Sequence, residues 1–461
     1  MSHVHAFRHS TRLDVSAEEA FAWHERRGAF ERLVPPFQRV EIISRSGGLD
    51  DRGRLVFLVR KGPVTFQWEA GHYGYDPPRR FCDEQLKGPF RHWRHQHAFI
   101  SDGPDKSSIE DEIEYTIPFG AAGDLIAGRA IAADLERTFA YRSYRVAADL
   151  KRHALYGARP PLKIGITGAS GLIGSALSAF LSAGGHAVAP MVRGPAREES
   201  DEISWNPHGH FDTRPLEGLD AVVHLAGENI SASRWTKGFK ERILQSRAGA
   251  TRALCEALAS LDRPPKVVVC ASATGFYGDR GDEELDESSA QGDGFLADVC
   301  GRWEEAAEPA RRKEIRVVHL RLGVVVAGRG GALPRMVVPF RLGLGGPAGD
   351  GRQWMSWISL DDAVGAFYAA LMDESLEGAV NAVAPSPITN GEFARTLGKL
   401  LHRPALVPLP ALAVKLALGE MGKALLLNSC RAVPARLLRS GFSFLAPTTE
   451  QALRIELGIG F

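Results

Sequence analysis

The sequence predicts a doubly wound α/β domain on a parallel sheet, preceded by a smaller α+β domain of mostly antiparallel strands. Three observations carry this. From residue 163 onward, apolar strands alternate with helical stretches, the pattern of parallel strands joined by crossover helices. Residues 1 to 155 run instead as helix, a series of β-like segments, and one long amphipathic helix. Between them Pro160 and Pro161 in "YGARPPLK" break the last helix and leave a stiff connector over residues 156–162. A chain of 461 residues exceeds one ordinary domain, and its 44% apolar and 24% charged content suits packed cores.

In the first domain, Ser16 followed by Glu19 forms a capping box that opens a helix. The runs "RVEIISR", "GRLVFLVR", "VTFQWEAGHYGY", "RHWRHQHAFI" and "SIEDEIEYTIPF" read as strands. In the last, Ile113, Tyr115 and Ile117 alternate with Glu112, Glu114 and Thr116, giving one wet face. "GDLIAGRAIAADLERTFAYRSYRVAADLKRHAL" then supplies the long helix, around which a curved sheet would wrap. With "GAFERLVPPF" and "GPFRHWRHQHAF", this order resembles the START/polyketide-cyclase-like superfamily. The resemblance implies a helix-grip fold with an apolar cavity for a lipid, polyketide or other hydrophobic ligand. It carries over no catalytic residue, and a plain docking domain is the competing reading. In "RHWRHQH", His95 and His97 share a strand face and His92 takes the other. No neighbouring Cys, Asp or Glu completes a tetrahedral set, so partly exposed histidines and no metal are expected.

The most informative stretch is "KIGITGASGLIGSALSAFLSAGGHAVAPMVRG". An apolar strand runs into Gly168-Ala169-Ser170-Gly171-Leu172-Ile173-Gly174 and then a helix. Gly168 permits a tight turn, Gly171 a close approach of backbone to pyrophosphate, and Gly174 close packing of helix on strand. Phosphates would sit at the helix N-terminus, where free N–H groups and the dipole favour anions. The next strand ends in Arg193 with no acid before it, which suits a 2′-phosphate and predicts NADP over NAD. "LDAVVHLAGENI" ends a further strand in Leu225, Ala226 and Gly227, small enough at the last two positions for close cofactor approach. "KVVVCASATGFYG" leads to Ser272 and Tyr277, and "IRVVHLRLGVVVAG" supplies one more strand.

These motifs resemble an extended short-chain dehydrogenase/reductase with a Rossmann sheet. The phrases "HLAGENISASRWTKGFKERILQSRAGATRAL", "FLADVCGRWEEAA", "WMSWISLDDAVGAF", "GAVNAVAPSPITNGEFARTLGKLLHRPA" and "RAVPARLLRSGFSF" are similar to an atypical, epimerase-like subgroup of unknown function. They cover residues 163–461 almost continuously. The wider family implies a Tyr-x-x-x-Lys pair, a carbonyl-polarising Ser and an upstream Asn. Here the Ser position is Ser272, the Tyr falls on Leu296, the Lys on Cys300 and the Asn on Arg247. Leucine moves no proton, and a thiol carries no positive charge to lower a neighbour's pKa. Tyr277 could replace the missing phenol or form a pocket wall. Cys300 could act as acid or nucleophile if Arg247 lowers its pKa, or be a small buried residue. Arg247 would meet cofactor phosphate or a substrate anion, or else make a structural ion pair. Trp235 with Arg234 and Lys237 could line an anion site or lie on a solvated helical face.

A substrate lobe is expected at about residues 328–357 and 385–461, strongly apolar in "LVPLPALAVKLALGEMGKALLL", with Asp361 and Asp362 as structural residues in a helix first turn. A net charge of +1 makes no electrostatic case for nucleic acid. Five scattered cysteines make none for disulfides, and "MSHVHAFRHSTRLD" has no apolar h-region, so no signal peptide is expected. No apolar run is long enough for a membrane span. A cytoplasmic protein with a small or hydrophobic ligand is expected; its oligomeric state is open. The functional readings are an NADP-dependent oxidoreductase or epimerase with altered catalytic residues, a non-catalytic NADP-binding sensor or scaffold, and a lipid- or polyketide-handling protein.

Overall fold

Antiparallel pairing organises the N-terminal part of the chain in the computed structural model, which describes residues 3–198, 200–207, 209 and 211–460. Two units are distinguished, the first built from residues up to Arg159 with the segments Ser182–Gly185 and Ile455 onward, the second from Pro160–Leu181 and His186–Arg454. The first contains β1 (His5–Leu13), α1 (Ala17–Glu25), α2 (Ala29–Leu33), β2 (Arg39–Ser46), β3 (Arg54–Lys61), β4 (Val64–Asp76), β5 (Arg80–Lys87), β6 (His92–Ser101), β7 (Ser107–Thr116) and α3 (Gly120–Ala154). The strands form one sheet in the order β1-β7-β6-β5-β4-β3-β2. Val146 and Leu150 of α3 pack with Phe21, Phe81, Phe99 and Ile109 in one apolar cluster. Phe139 joins Ile113 and Tyr115 in a second.

Two strands, β1 and β5, go beyond the sequence reading. β1 is an edge strand whose outward Arg8 and Ser10 bond Glu112 and Glu110 on β7, so charge hides its alternation. β5 hides behind consecutive polar residues Asp83, Glu84 and Gln85. The Ser16 cap forms, accepting from the Glu19 amide, but the Glu19 carboxylate bonds Arg26 at 2.9 Å. Only half of the expected capping box is therefore made.

The second unit contains β8 (Lys163–Thr167), α4 (Leu172–Ala183), β9 (Ala187–Val192), β10 (Ile203–Ser204), β11 (Ala221–His224), α5 (Lys237–Leu244), α6 (Ala250–Ala259), β12 (Val267–Ala273), α7 (Phe295–Glu305), β13 (Arg316–Leu322), α8 (Leu360–Met372) and β14 (Gly378–Ala382). The sheet order is β10-β9-β8-β11-β12-β13-β14, with every pairing parallel. Strands buried on both faces read as continuous apolar runs, which is why they were visible in sequence. The order reverses between β8 and β11, and such a switch point opens a ligand crevice at the strands' carboxyl ends.

Ser359 caps α8 by accepting from the Asp362 amide. The Asp362 carboxylate accepts from the Leu445 and Ala446 amides, so this acid holds a returning loop. In the C-terminal segment Leu406, Leu412 and Leu416 are exposed. No described helix is long and apolar enough to cross a membrane.

Candidate functional site

The crevice of the second unit is built by the β8–α4 turn. Gly168 has φ +67°, and a Cβ there would meet the Leu225 carbonyl carbon at 2.9 Å. A Cβ on Gly174 would lie 2.1 Å from the Gly168 carbonyl oxygen. Gly171 donates its amide to that same oxygen at 2.9 Å, closing the turn and leaving Ser170 and Gly171 exposed ahead of α4. Thr167 ties the second wall to the first. Its hydroxyl sits 2.7 Å from His224 Nδ1 and accepts the Leu225 and Ala226 amides at 3.1 and 3.2 Å. Burial lowers the His224 pKa to about 4, so the ring is neutral and Nδ1 is free to accept the hydroxyl proton.

Gly174→Ala is expected to destabilise the second unit by about 1–3 kcal/mol, the usual cost of overpacking. Because the clash is with backbone, it should also weaken dinucleotide binding; thermal melts with and without nucleotide would read both effects.

Two arginines stand at this crevice. Arg193 is exposed just past the end of β9, with no ion pair or hydrogen bond among the described residues. Arg247 lies in a widened π turn, Gln245–Gly249, 3.4 Å from where a Gly227 Cβ would be. Its guanidinium stacks over Trp303 at 5.1 Å, and its hydrogen bonds to Ile243 and Ser246 are both 3.5 Å long. Most of its donor capacity is unused, which fits an anion.

The three residues singled out for chemistry lie in the interior. Ser272 is 2% exposed and donates its hydroxyl to Glu304 Oε1 at 2.7 Å. Arg321 clamps that carboxylate through Nε and Nη2, both at 2.8 Å, and lies 3.4 Å over the Phe276 ring. Burial opposes ionisation of Glu304, but the Arg321 fork outweighs it and holds the carboxyl below its ordinary value. Tyr277 is 0% exposed; its phenol accepts from Arg321 Nη1 at 3.0 Å and lies 2.7 Å from Asn381 Oδ1. Burial pushes that phenol up to about 12. Cys300 is buried beside Glu304, and burial pushes its thiol up to about 12 despite Arg247 nearby.

In the first unit, a cavity of about 850 Å³ has an aromatic wall and a polar floor. Phe57, Phe66, Trp68, Phe90 and Trp93 make the wall. Register makes the floor. Asp83 on β5 pairs with His95 on β6, and His97 pairs with Asp111 on β7, so all four project from one face. The expectation of partly exposed histidines without a carboxylate partner is thereby corrected: His95 and His97 are buried and bracketed by two aspartates. Burial disfavours both carboxylate charges, yet the two imidazoles hold Asp83 and Asp111 well below the usual range.

The family model described as NAD dependent epimerase/dehydratase family matches residues 164–382. A domain of unknown function, DUF1731, matches 409–455, and the model described as polyketide cyclase/dehydrase and lipid transport matches 13–141. An epimerase family protein of Mycobacterium bovis is 44% identical over 291 residues, spanning 63% of this chain and 96% of the relative. The chain belongs to the epimerase family. A Corynebacterium glutamicum structure described as a nucleoside-diphosphate sugar epimerase is 34% identical. It covers 98% of this chain and 90% of that one, with a TM-score of 0.82. The human epimerase family protein SDR39U1, solved with NADPH, is 35% identical over 65% of this chain and all of that one, with a TM-score of 0.59.

Within this epimerase-family frame, Leu296 and Cys300 lie close to Gly275, whose Cβ would meet them at 3.2 and 3.8 Å. Tyr277, expected at the mouth of β12, is turned into the core instead. Ser272, expected to orient a carbonyl, already gives its proton to Glu304, and strand alternation puts Ala273 on the more open side. Cys300 has no depressed pKa to make it a nucleophile. Sequence reasoning missed Glu304, Arg321 and Asn381. A signal existed for the first, since Glu304 follows Cys300 by one helical turn. Arg321 is a buried charge in a largely apolar strand, a position where a charge requires a partner.

Proposed function

We propose that the second unit is an NADP(H)-binding module whose output is cofactor occupancy rather than turnover. The NADP preference rests on Arg193, exposed and unengaged where a 2′-phosphate would lie, with support from the human relative solved with NADPH. The observation that carries the occupancy reading is the interior position of the three side chains singled out for chemistry. Ser272, Tyr277 and Cys300 are all below 4% exposure, and the first two have their hydroxyls committed to Glu304 and Asn381. A group locked in this way cannot reach a substrate oxygen without unmaking a charge-assisted network.

A second reading is hydride transfer with water as the proton source, favoured by the sugar epimerase description of the Corynebacterium relative. Purified protein with bound NADPH, challenged with aldehydes, ketones and nucleotide sugars, separates the two. The occupancy reading predicts no oxidation of NADPH above the protein-free rate. Oxidation that is substrate-dependent and unaltered in Ser272→Ala would establish the second reading; oxidation lost in Ser272→Ala would show that the network opens and that Ser272 is catalytic.

A further inference from the structure

The polar floor of the first unit's cavity has the geometry of a metal site. We propose that Asp83, His95 and His97 bind one divalent first-row transition-metal ion, with Asp111 orienting both histidines. Their ligand atoms lie within 4.8 Å of one another. Asp83 Oδ1 is 3.2 Å from His95 Nδ1 and 3.5 Å from His97 Nε2. Nitrogen and oxygen ligands at zinc-like bond lengths of about 2.0–2.1 Å place tetrahedral ligand atoms about 3.3 Å apart. Two of the three edges already have that length.

The opposite sides of the rings supply the second part of the argument. Asp111 Oδ1 lies 2.7 Å from His97 Nδ1 and 3.1 Å from His95 Nε2. A carboxylate only accepts, so each ring gives Asp111 its N–H and turns its other nitrogen toward Asp83. Two imidazole nitrogens and a carboxylate oxygen then converge on one point, which a metal ion can occupy in place of the protons that otherwise join the rings to both aspartates. A carboxylate behind each ligating imidazole is also how metal-bound histidines are fixed in tautomer and orientation.

The surroundings fit one ion and leave it open. Asp83, His95 and His97 all line the cavity, so positions not taken by protein face the ligand space beneath the aromatic wall. Three protein ligands with an open position are the pattern of reactive rather than structural sites, and two histidines with one carboxylate suit zinc or ferrous iron. Other charged or titratable groups stand around the site, and His72 on β4 is the cross-strand partner of Asp83 and lines the same cavity. His24 on α1 gives Nδ1 to the Ala20 carbonyl at 2.7 Å and stands 6.4 Å from His97, ring to ring. Arg142 on α3 brings one positive charge toward the two aspartates, too few to balance both. The bound ion would present a Lewis acid to an oxygen-bearing hydrophobic ligand in the cavity.

The test uses the full chain, stripped with a chelator and titrated with Co²⁺ alone and then Zn²⁺. One Co²⁺ per chain with visible d–d bands, displaced by Zn²⁺, is the expected result. Asp111→Asn should weaken binding about 10- to 100-fold. Asp83→Asn and His97→Gln should weaken it further, and His92→Gln, on the other strand face, should leave it unchanged. Absence of stoichiometric binding by the unaltered chain overturns the proposal, as does binding indifferent to both Asp83→Asn and His97→Gln. If those variants fail to fold, X-ray absorption on the cobalt-loaded chain decides: two imidazole ligands support the site, and none refutes it.

Discussion

Arg321→Met should destabilise the second unit by about 3–5 kcal/mol, the cost of leaving one member of a buried ion pair without its partner. Arg321 is 4% exposed, and methionine fills much of the same volume. What is lost is the two-pronged clamp on Glu304 and the donor to Tyr277. The pH dependence gives the mechanism away. In the unaltered chain Glu304 titrates below its ordinary 4.5, so its ionisation stabilises the fold above that value and the contribution is lost as pH falls further. Without Arg321, burial dominates and the carboxyl titrates above 4.5. Glu304 then becomes a cost that grows as pH rises. Denaturant melts at pH 5 and pH 8 should therefore show the larger gap between the two proteins at pH 8. A gap independent of pH would mean that Glu304 is not held by Arg321.

Arg193→Ala should weaken NADPH binding about 10- to 100-fold while leaving NADH binding nearly unchanged. A charge-assisted hydrogen bond contributes about 1.5–3 kcal/mol, and each 1.4 kcal/mol is about tenfold in Kd. Nicotinamide fluorescence titrations of both nucleotides, run side by side, read the difference. The effect should shrink with added salt, because Arg193 is exposed and screening acts there. Equal loss for NADPH and NADH would place Arg193 on the pyrophosphate instead, and no loss would remove it from the site.

What the sequence made legible was local. The β8 turn, its three glycines and α4 are contiguous, and each glycine answers to a backbone atom a few residues away or on the next strand. Buried parallel strands also announce themselves, because both faces are apolar. The network of Ser272, Glu304, Arg321, Tyr277 and Asn381 draws on three strands, a helix and a turn, so no single window contained it. Ser272 illustrates the limit. One step along β12 separates a side chain in the open from one in the interior, and a motif match does not fix that parity. The first unit repeats the lesson. That His95 and His97 share a face follows from strand periodicity, but Asp83 and Asp111 meet them only through cross-strand register. Asp83 also sits on a strand whose polar run conceals it.

The most direct test of the central claim is a titration of the purified full chain with NADPH and with NADH, followed by nicotinamide fluorescence. The predicted result is saturable binding of one NADPH per chain, at least about tenfold tighter than NADH, as one charge-assisted contact to the 2′-phosphate would give. Failure of both nucleotides to bind, or tighter binding of NADH, would contradict it.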